Sequence, residues 1–156
     1  MEVNMLPYVL LTRYMLPRMK QRTSRSGIIN VSSLGGFPPG VPYISTYSGT
    51  KAFNLSFSRG LTFEESDKID VMCLTPSVVE SNMSKMKKGA YAIGADECAI
   101  GTLNQLGDYH VTEGPWKHAL QGSITGFIRS ILPTKIHLAS IAFMLDQMAK
   151  MQKKNI

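Results

Sequence analysis

The sequence predicts an α/β fold built on parallel strands, and three observations predict it. Two short apolar runs, Gly27-Ile28-Ile29-Asn30-Val31 and Ile69-Asp70-Val71-Met72-Cys73-Leu74, have the length and β-branched content of buried strands. Residues 46 to 66 lie between them and read as a helix, which supplies the right-handed crossover that parallel neighbours need. On that helix Tyr47 and Lys51 are four residues apart and share a face, 14 residues after Ser33 at the end of the first run.

The remaining elements follow in order. Residues 5 to 22 read as a helix, with Leu6, Val9, Leu10 and Leu11 on its apolar face and a basic end from Arg18 to Arg22. Pro17 is expected to kink or shorten it. Residues 23 to 27 form a loop, and residues 27 to 31 a short buried strand. Residues 34 to 45 hold three prolines and three glycines and so form a loop, placed to shape the mouth of a site. After Pro76 the chain is polar and irregular to about Gly94. Asp96 suits the N-cap of a helix over residues 97 to 106. Residues 112 to 114 turn into a short strand or helix through Leu120, and a last helix covers residues 134 to 151, ahead of a polar tail. With no internal repeat and no low-complexity linker, residues 1 to 156 read as a single domain.

At 156 residues and 44% apolar content the chain can bury a core. Its net charge of +6 is spread out, with neither aromatic interleaving nor zinc-finger spacing, which argues against nucleic acid as a partner. Two clusters, Lys85/Lys87/Lys88 and Lys150/Lys153/Lys154, suit either a solvated face or an anionic membrane surface. Cys73 and Cys98 are too few for a disulfide scaffold or a metal site. His110, His118 and His137 lack ligand spacing, so no metal is expected and each reads as structural or surface. No run approaches the ~18 to 20 apolar residues of a spanning helix. The longest, Ile124 to Leu145, is interrupted by Arg129, Pro133, Lys135 and His137. It is either a helix-break-helix pair lying on a membrane or an ordinary amphipathic cap. Met1 leads directly into a helix pattern, with no signal peptide.

The chemistry concentrates on Ser33, Tyr47 and Lys51. A free phenol titrates near pH ~10, and an adjacent ammonium favours the phenolate, making Tyr47 a better proton donor near neutrality. The bland alternatives are strand-end polar residues at Ser32 and Ser33, and surface positions on the helix for the other two.

This order of Ser, Tyr and Lys on strand, loop and helix resembles the short-chain dehydrogenase/reductases. The segments VNM (3 to 5), LPRM (16 to 19), INVSS (29 to 33), TYSGTKAF (46 to 53), LTPSVVES (74 to 81), TEGPWKHAL (112 to 120) and ILP (131 to 133) are similar to one branch. It contains the 17β-hydroxysteroid dehydrogenases of types 3 and 12 and the very-long-chain 3-oxoacyl-CoA reductases. The family's opening TGxxxGxG turn and its NNxG-like motif are not in this sequence. The resemblance therefore implies the C-terminal half of a Rossmann-like doubly wound parallel sheet, with a C-terminal helical cap.

The resemblance also implies roles. Ser33 would hydrogen-bond a substrate carbonyl, Tyr47 would deliver the proton, and Lys51 would tune Tyr47 and hold the nicotinamide ribose. Asn4 matches an asparagine that holds a water next to the lysine, with simple helix capping as its alternative. Pro76, Val78, Val79 and Ser81 match the stretch that meets the nicotinamide, Ser81 standing where the family has threonine. An ordinary core role competes at Val78 and Val79. The cofactor would be NADP and the substrate an acyl-CoA or a steroid. A homodimer would form through the helices near residues 5 to 22 and 46 to 66. The tail Lys153-Lys154-Asn155-Ile156 matches a KKxx retrieval signal, and with the branch points to the endoplasmic-reticulum membrane. The rival reading is a non-catalytic truncated isoform or incomplete gene product that cannot hold a dinucleotide, and that pairs with full-length partners.

Overall fold

The computed structural model describes residues 2–65, 67–89 and 91–154. Its centre is a parallel pair, β1 (Ser26–Val31) and β2 (Ile69–Leu74), in register from Ser26 opposite Ile69 to Val31 opposite Leu74. The crossover is α2 (Ser45–Glu65), which follows a 3-10 turn at Leu34–Gly36. On one side of the sheet, Met19 of α1 (Glu2–Lys20), Leu61 of α2 and Ile69 and Val71 of β2 make one buried cluster, with Leu16, Ile28 and Phe57 packed against it. Removing such side chains from water, at roughly 1.5–3 kcal/mol each, is what fixes α1 and α2 on the sheet. α1 starts at Glu2 rather than residue 5 and runs through Pro17 to Lys20, so the proline does not end it.

A third strand extends the sheet. β5 (Val111–Thr112) pairs parallel with Cys73 and Leu74, giving the order β1-β2-β5. Residues 112 to 120 thus divide between the end of this strand and the start of α4 (Trp116–Ile131). The strand at residues 27 to 31, expected to be buried, stands at the open edge of the sheet. Ser26 and Asn30 are buried but Val31 is 41% exposed. The reason is pairing on one side only: a parallel strand is covered when neighbours flank both of its edges. A groove of about 590 Å³ runs along that edge, lined by Tyr8, Leu11 and Met15 of α1 and by residues 27–30 of β1.

The stretch after Pro76 is more ordered than its polarity suggested. β3 (Val78–Val79) and β4 (Ala92–Ile93) form a small parallel pair, with Ile93 buried against Leu74 and Cys98 and Val79 packed onto that cluster. α3 (Ala95–Leu103) has Gly94 at its N-cap, and Asp96 lies inside the first turn. Asp96 therefore sits where its charge suits the helix dipole, and it is not the cap. The helix stops at Leu103, short of 106, where the Gln105 side chain donates to the Gly114 carbonyl at 2.9 Å and accepts from Thr112.

The apolar run at residues 124 to 145 is a helix-break-helix pair. α4 ends at Ile131, and α5 (Thr134–Lys154) restarts one residue beyond Pro133. Among the described residues no helix is long and apolar enough to cross a membrane. Asn155 and Ile156, and with them the tail pattern, lie outside the described residues.

Candidate active site

The C-terminal ends of the three strands are tied together by backbone. The N–H of Ser32 donates to the Leu74 carbonyl at 2.7 Å, that of Leu34 to Pro76 at 3.1 Å, and that of Thr75 to Thr112 at 2.7 Å. This is where open α/β sheets place their ligands.

The two serines do different things. Ser32 is buried, and its hydroxyl donates to the Lys51 carbonyl at 2.6 Å, locking the end of β1 to α2. Ser33 is half-buried and caps the 3-10 turn, its Oγ accepting from the Gly35 N–H at 3.1 Å. Accepting there leaves its own hydrogen available to a third group. A Cβ placed on Gly35 would stand 3.6 Å from Ser33 Oγ and 3.8 Å from Tyr47 Cε1, so Ser33 and the Tyr47 ring both lie against Gly35. The Lys51 ammonium lies 5.7 Å from the centre of the Tyr47 ring, within cation–π range. It donates to the Val31 carbonyl at 2.9 Å, and its pKa is lowered, chiefly by burial. An ammonium has three hydrogens, so two remain.

The other expected residues are placed less centrally. Asn4 lies in the first turn of α1, and its amide donates to Thr50 Oγ1 at 3.2 Å, one residue before Lys51. Pro76 is half-buried and accepts the Leu34 N–H. Val78 and Val79 are half-buried in β3, and Val79 packs on the core. Ser81 is exposed in a turn, its Oγ accepting from the Ser84 N–H at 3.1 Å.

Two residues drew no notice as functional in the sequence. The Tyr8 hydroxyl donates to the same Val31 carbonyl as Lys51, at 2.9 Å, and burial raises its pKa. Its signal was the YV pair four positions after Asn4 on one helix face, which is too common to weigh. His118, read as structural or surface, is fully buried. Its Nδ1 accepts from the Ser77 N–H at 3.3 Å and its Nε2 meets the Val78 carbonyl at 3.1 Å. A ring that accepts at Nδ1 and donates at Nε2 is neutral, and burial lowers its pKa accordingly. It holds the Pro76–Val79 stretch from above.

The short chain dehydrogenase family model matches residues 1–91, more than half of the chain. This chain belongs to the short-chain dehydrogenase family. It is 36% identical to the zebrafish (Danio rerio) very-long-chain 3-oxoacyl-CoA reductase-B, over 97% of this chain and 48% of that protein. Against the mouse (Mus musculus) very-long-chain 3-oxoacyl-CoA reductase the identity is 32%, over 98% and 49%. The chain thus spans about half the length of the curated relatives it matches. Within the short-chain dehydrogenases it belongs with this 3-oxoacyl-CoA reductase branch. In fold it is similar to a solved 7β-hydroxysteroid dehydrogenase, with a TM-score of 0.74 at 17% identity, covering 90% of this chain and 56% of that one. The α/β arrangement is therefore a partial Rossmann-like sheet.

Proposed function

We propose that this short-chain dehydrogenase carries the catalytic half of an NADPH-dependent carbonyl reductase acting on 3-oxoacyl-CoA thioesters. The observation that carries the reading is the meeting of Ser33, Tyr47 and Lys51 at the ends of β1 and β2. The resident groups fit the nicotinamide end of a dinucleotide: the half-buried Lys51 ammonium has two hydrogens to offer ribose hydroxyls, with Ser33 and Tyr47 close by. When bound, that cofactor supplies the hydride. Ser33, already fixed by Gly35, donates to the carbonyl oxygen and aligns it. Tyr47 gives its phenolic proton to the oxygen as negative charge builds there, and Lys51 stabilises the phenolate left behind. His118, through Ser77 and Val78, fixes the stretch that follows β2.

The preference for NADP over NAD rests on the resemblance, and the choice of acyl-CoA over a 17-ketosteroid is supported by the relatives that are very-long-chain 3-oxoacyl-CoA reductases. Location at the endoplasmic-reticulum membrane rests on Lys153-Lys154-Asn155-Ile156 and the branch. A second reading has its own support: β1 has an open edge, and no glycine-rich turn opens a helix to hold a pyrophosphate. On it, residues 1 to 156 alone are non-catalytic, and pair through α1 and α2 with a longer copy.

The test is to express the complete reading frame containing this sequence and assay reduction of 3-oxoacyl-CoA and 17-ketosteroid with NADPH or NADH. The account expects kcat/KM to favour the thioester with NADPH. In cells, changing Lys153 and Lys154 to serine should release the protein from the endoplasmic reticulum. Preference for the steroid, or unchanged location of the serine variant, would remove the corresponding assignment.

A further inference from the structure

α4 presents an apolar stripe that nothing in the described structure covers. Trp116, Leu120, Ile124, Phe127 and Ile131 follow one another at steps of four, four, three and four residues, so they line one face. All five are more than half exposed, Trp116 and Phe127 each at 69%. The only buried side chain of α4 is His118, two residues on from Trp116 and so about 200° around the helix. The helix is therefore docked by its opposite face, through His118 to Ser77 and Val78, and the stripe points outward. α5 continues the exposure with Ile136 and Phe143.

Charge selects the occupant. Residues 114 to 145 contain no Asp or Glu, and carry Lys117, Arg129 and Lys135. Lys88 and Lys117 approach the same Glu97 carboxylate, at 2.8 and 4.0 Å, which sets the basic turn bearing Lys85 and Lys87 beside the Trp116 end. A second copy laid on this face would bring two basic rims together at the cost of repulsion. A surface that is apolar below and anionic above meets both features at once. A long outward apolar stripe with tryptophan, a basic rim and no spanning length is the signature of a helix lying in a membrane interface.

We propose that α4 docks in the plane of an anionic lipid surface, with Trp116, Leu120, Ile124, Phe127 and Ile131 in the acyl boundary and Lys117 and Lys135 against the headgroups. Arg129, at the far end of α4, lies over the Phe37 ring at 5.1 Å and donates to the Pro38 carbonyl at 3.1 Å. Arg129 is on the face of α4 opposite the stripe, so this contact anchors the helix to the loop after Ser33 and leaves the stripe free for lipid. The inference is independent of the reductase reading, since it rests on exposure and charge alone.

Trp116 is the only tryptophan in the chain, so its fluorescence reads this surface directly. The chain is titrated with vesicles of phosphatidylcholine, alone or mixed with phosphatidylserine, and then with vesicles whose acyl chains are brominated. The expected result is a blue shift on the mixed vesicles, with quenching by the brominated chains. Phe127→Ser with Ile131→Ser, both exposed positions, should abolish the shift while the circular dichroism of the chain stays the same. Lys117→Gln with Lys135→Gln should weaken partitioning onto the mixed vesicles by roughly tenfold or more. No blue shift on either vesicle would overturn the proposal. So would a shift that grows with protein concentration in the absence of lipid, which would assign the stripe to a second copy. Equal binding to both vesicles would overturn the anionic part.

Discussion

Lys51 shows how much one side chain can be asked to do. Its ammonium sits against the Tyr47 ring, donates to Val31, and keeps two hydrogens for a ligand, while burial works against its charge. The spacing of Tyr47 and Lys51 was legible because helix periodicity alone places them together. The choice of Ser33 over Ser32 came from the family pattern. The structure adds a local distinction, with Ser32 committed to the Lys51 carbonyl and Ser33 half-buried. His118 was not legible, because a histidine within an apolar helix looks the same from sequence whether it faces solvent or a backbone 40 residues away. It carries a prediction. Burial holds the folded-state pKa below the unfolded value of about 6.5, so its contribution is fully present above that pH and is lost as pH falls toward the folded value. The groups that act on it are Glu97, whose charge works in the opposite sense, and the carbonyls of Val78 and Glu113. The thermal midpoint of the chain should drop between about pH 7.5 and 5.5 by more than that of His118→Gln. Parallel pH profiles for the two proteins would show that His118 does not titrate against folding.

At the scale of elements, the two long strands and the crossover helix were readable within a residue or two, because length and apolar run agree there. The short elements were not. β3 and β4 contribute two residues each, and their pairing depends on burial of Ile93 against Leu74 and Cys98, which no local pattern reveals. The same holds for Gly94 displacing Asp96 as the cap, since what decides it is the direction in which the chain leaves β4. The join between the 3-10 turn and α2 makes a sharper demand. A Cβ on Gly36 would lie 2.8 Å from the Lys51 carbonyl carbon and 2.9 Å from its oxygen, and Ser32 Oγ is equally close. Gly36→Ala should therefore force the turn away from α2 and cost about 1–3 kcal/mol in urea unfolding. Gly49→Ala, with nothing within 4 Å of the new Cβ, should stabilise α2 by about 0.5–1 kcal/mol. Equal effects of the two substitutions would mean that the contact at Lys51 is not a constraint.

For the whole molecule, the feature that matters is the unpaired edge of β1. Parallel sheets are normally covered on both faces, and among the described residues this one has three strands with β1 at its edge. Lys51 reaches that unpaired edge through its bond to the Val31 carbonyl. A dinucleotide placed at Lys51 would meet ammonium hydrogens for its ribose but no glycine-rich turn opening a helix for its pyrophosphate. Residues 1 to 156 by themselves should therefore show no saturable NADPH binding by calorimetry at micromolar concentrations. A micromolar Kd would show that the residues present suffice.

The central claim is that Tyr47 is the proton donor of a carbonyl reductase. Its most direct test is NADPH-dependent reduction of a 3-oxoacyl-CoA by the product of the complete reading frame, as wild type and as Tyr47→Phe. Losing only the donor hydroxyl should lower kcat by about 10²–10⁴ while the Kd for NADPH stays within about twofold. Turnover by the phenylalanine variant close to that of the wild type would contradict the account.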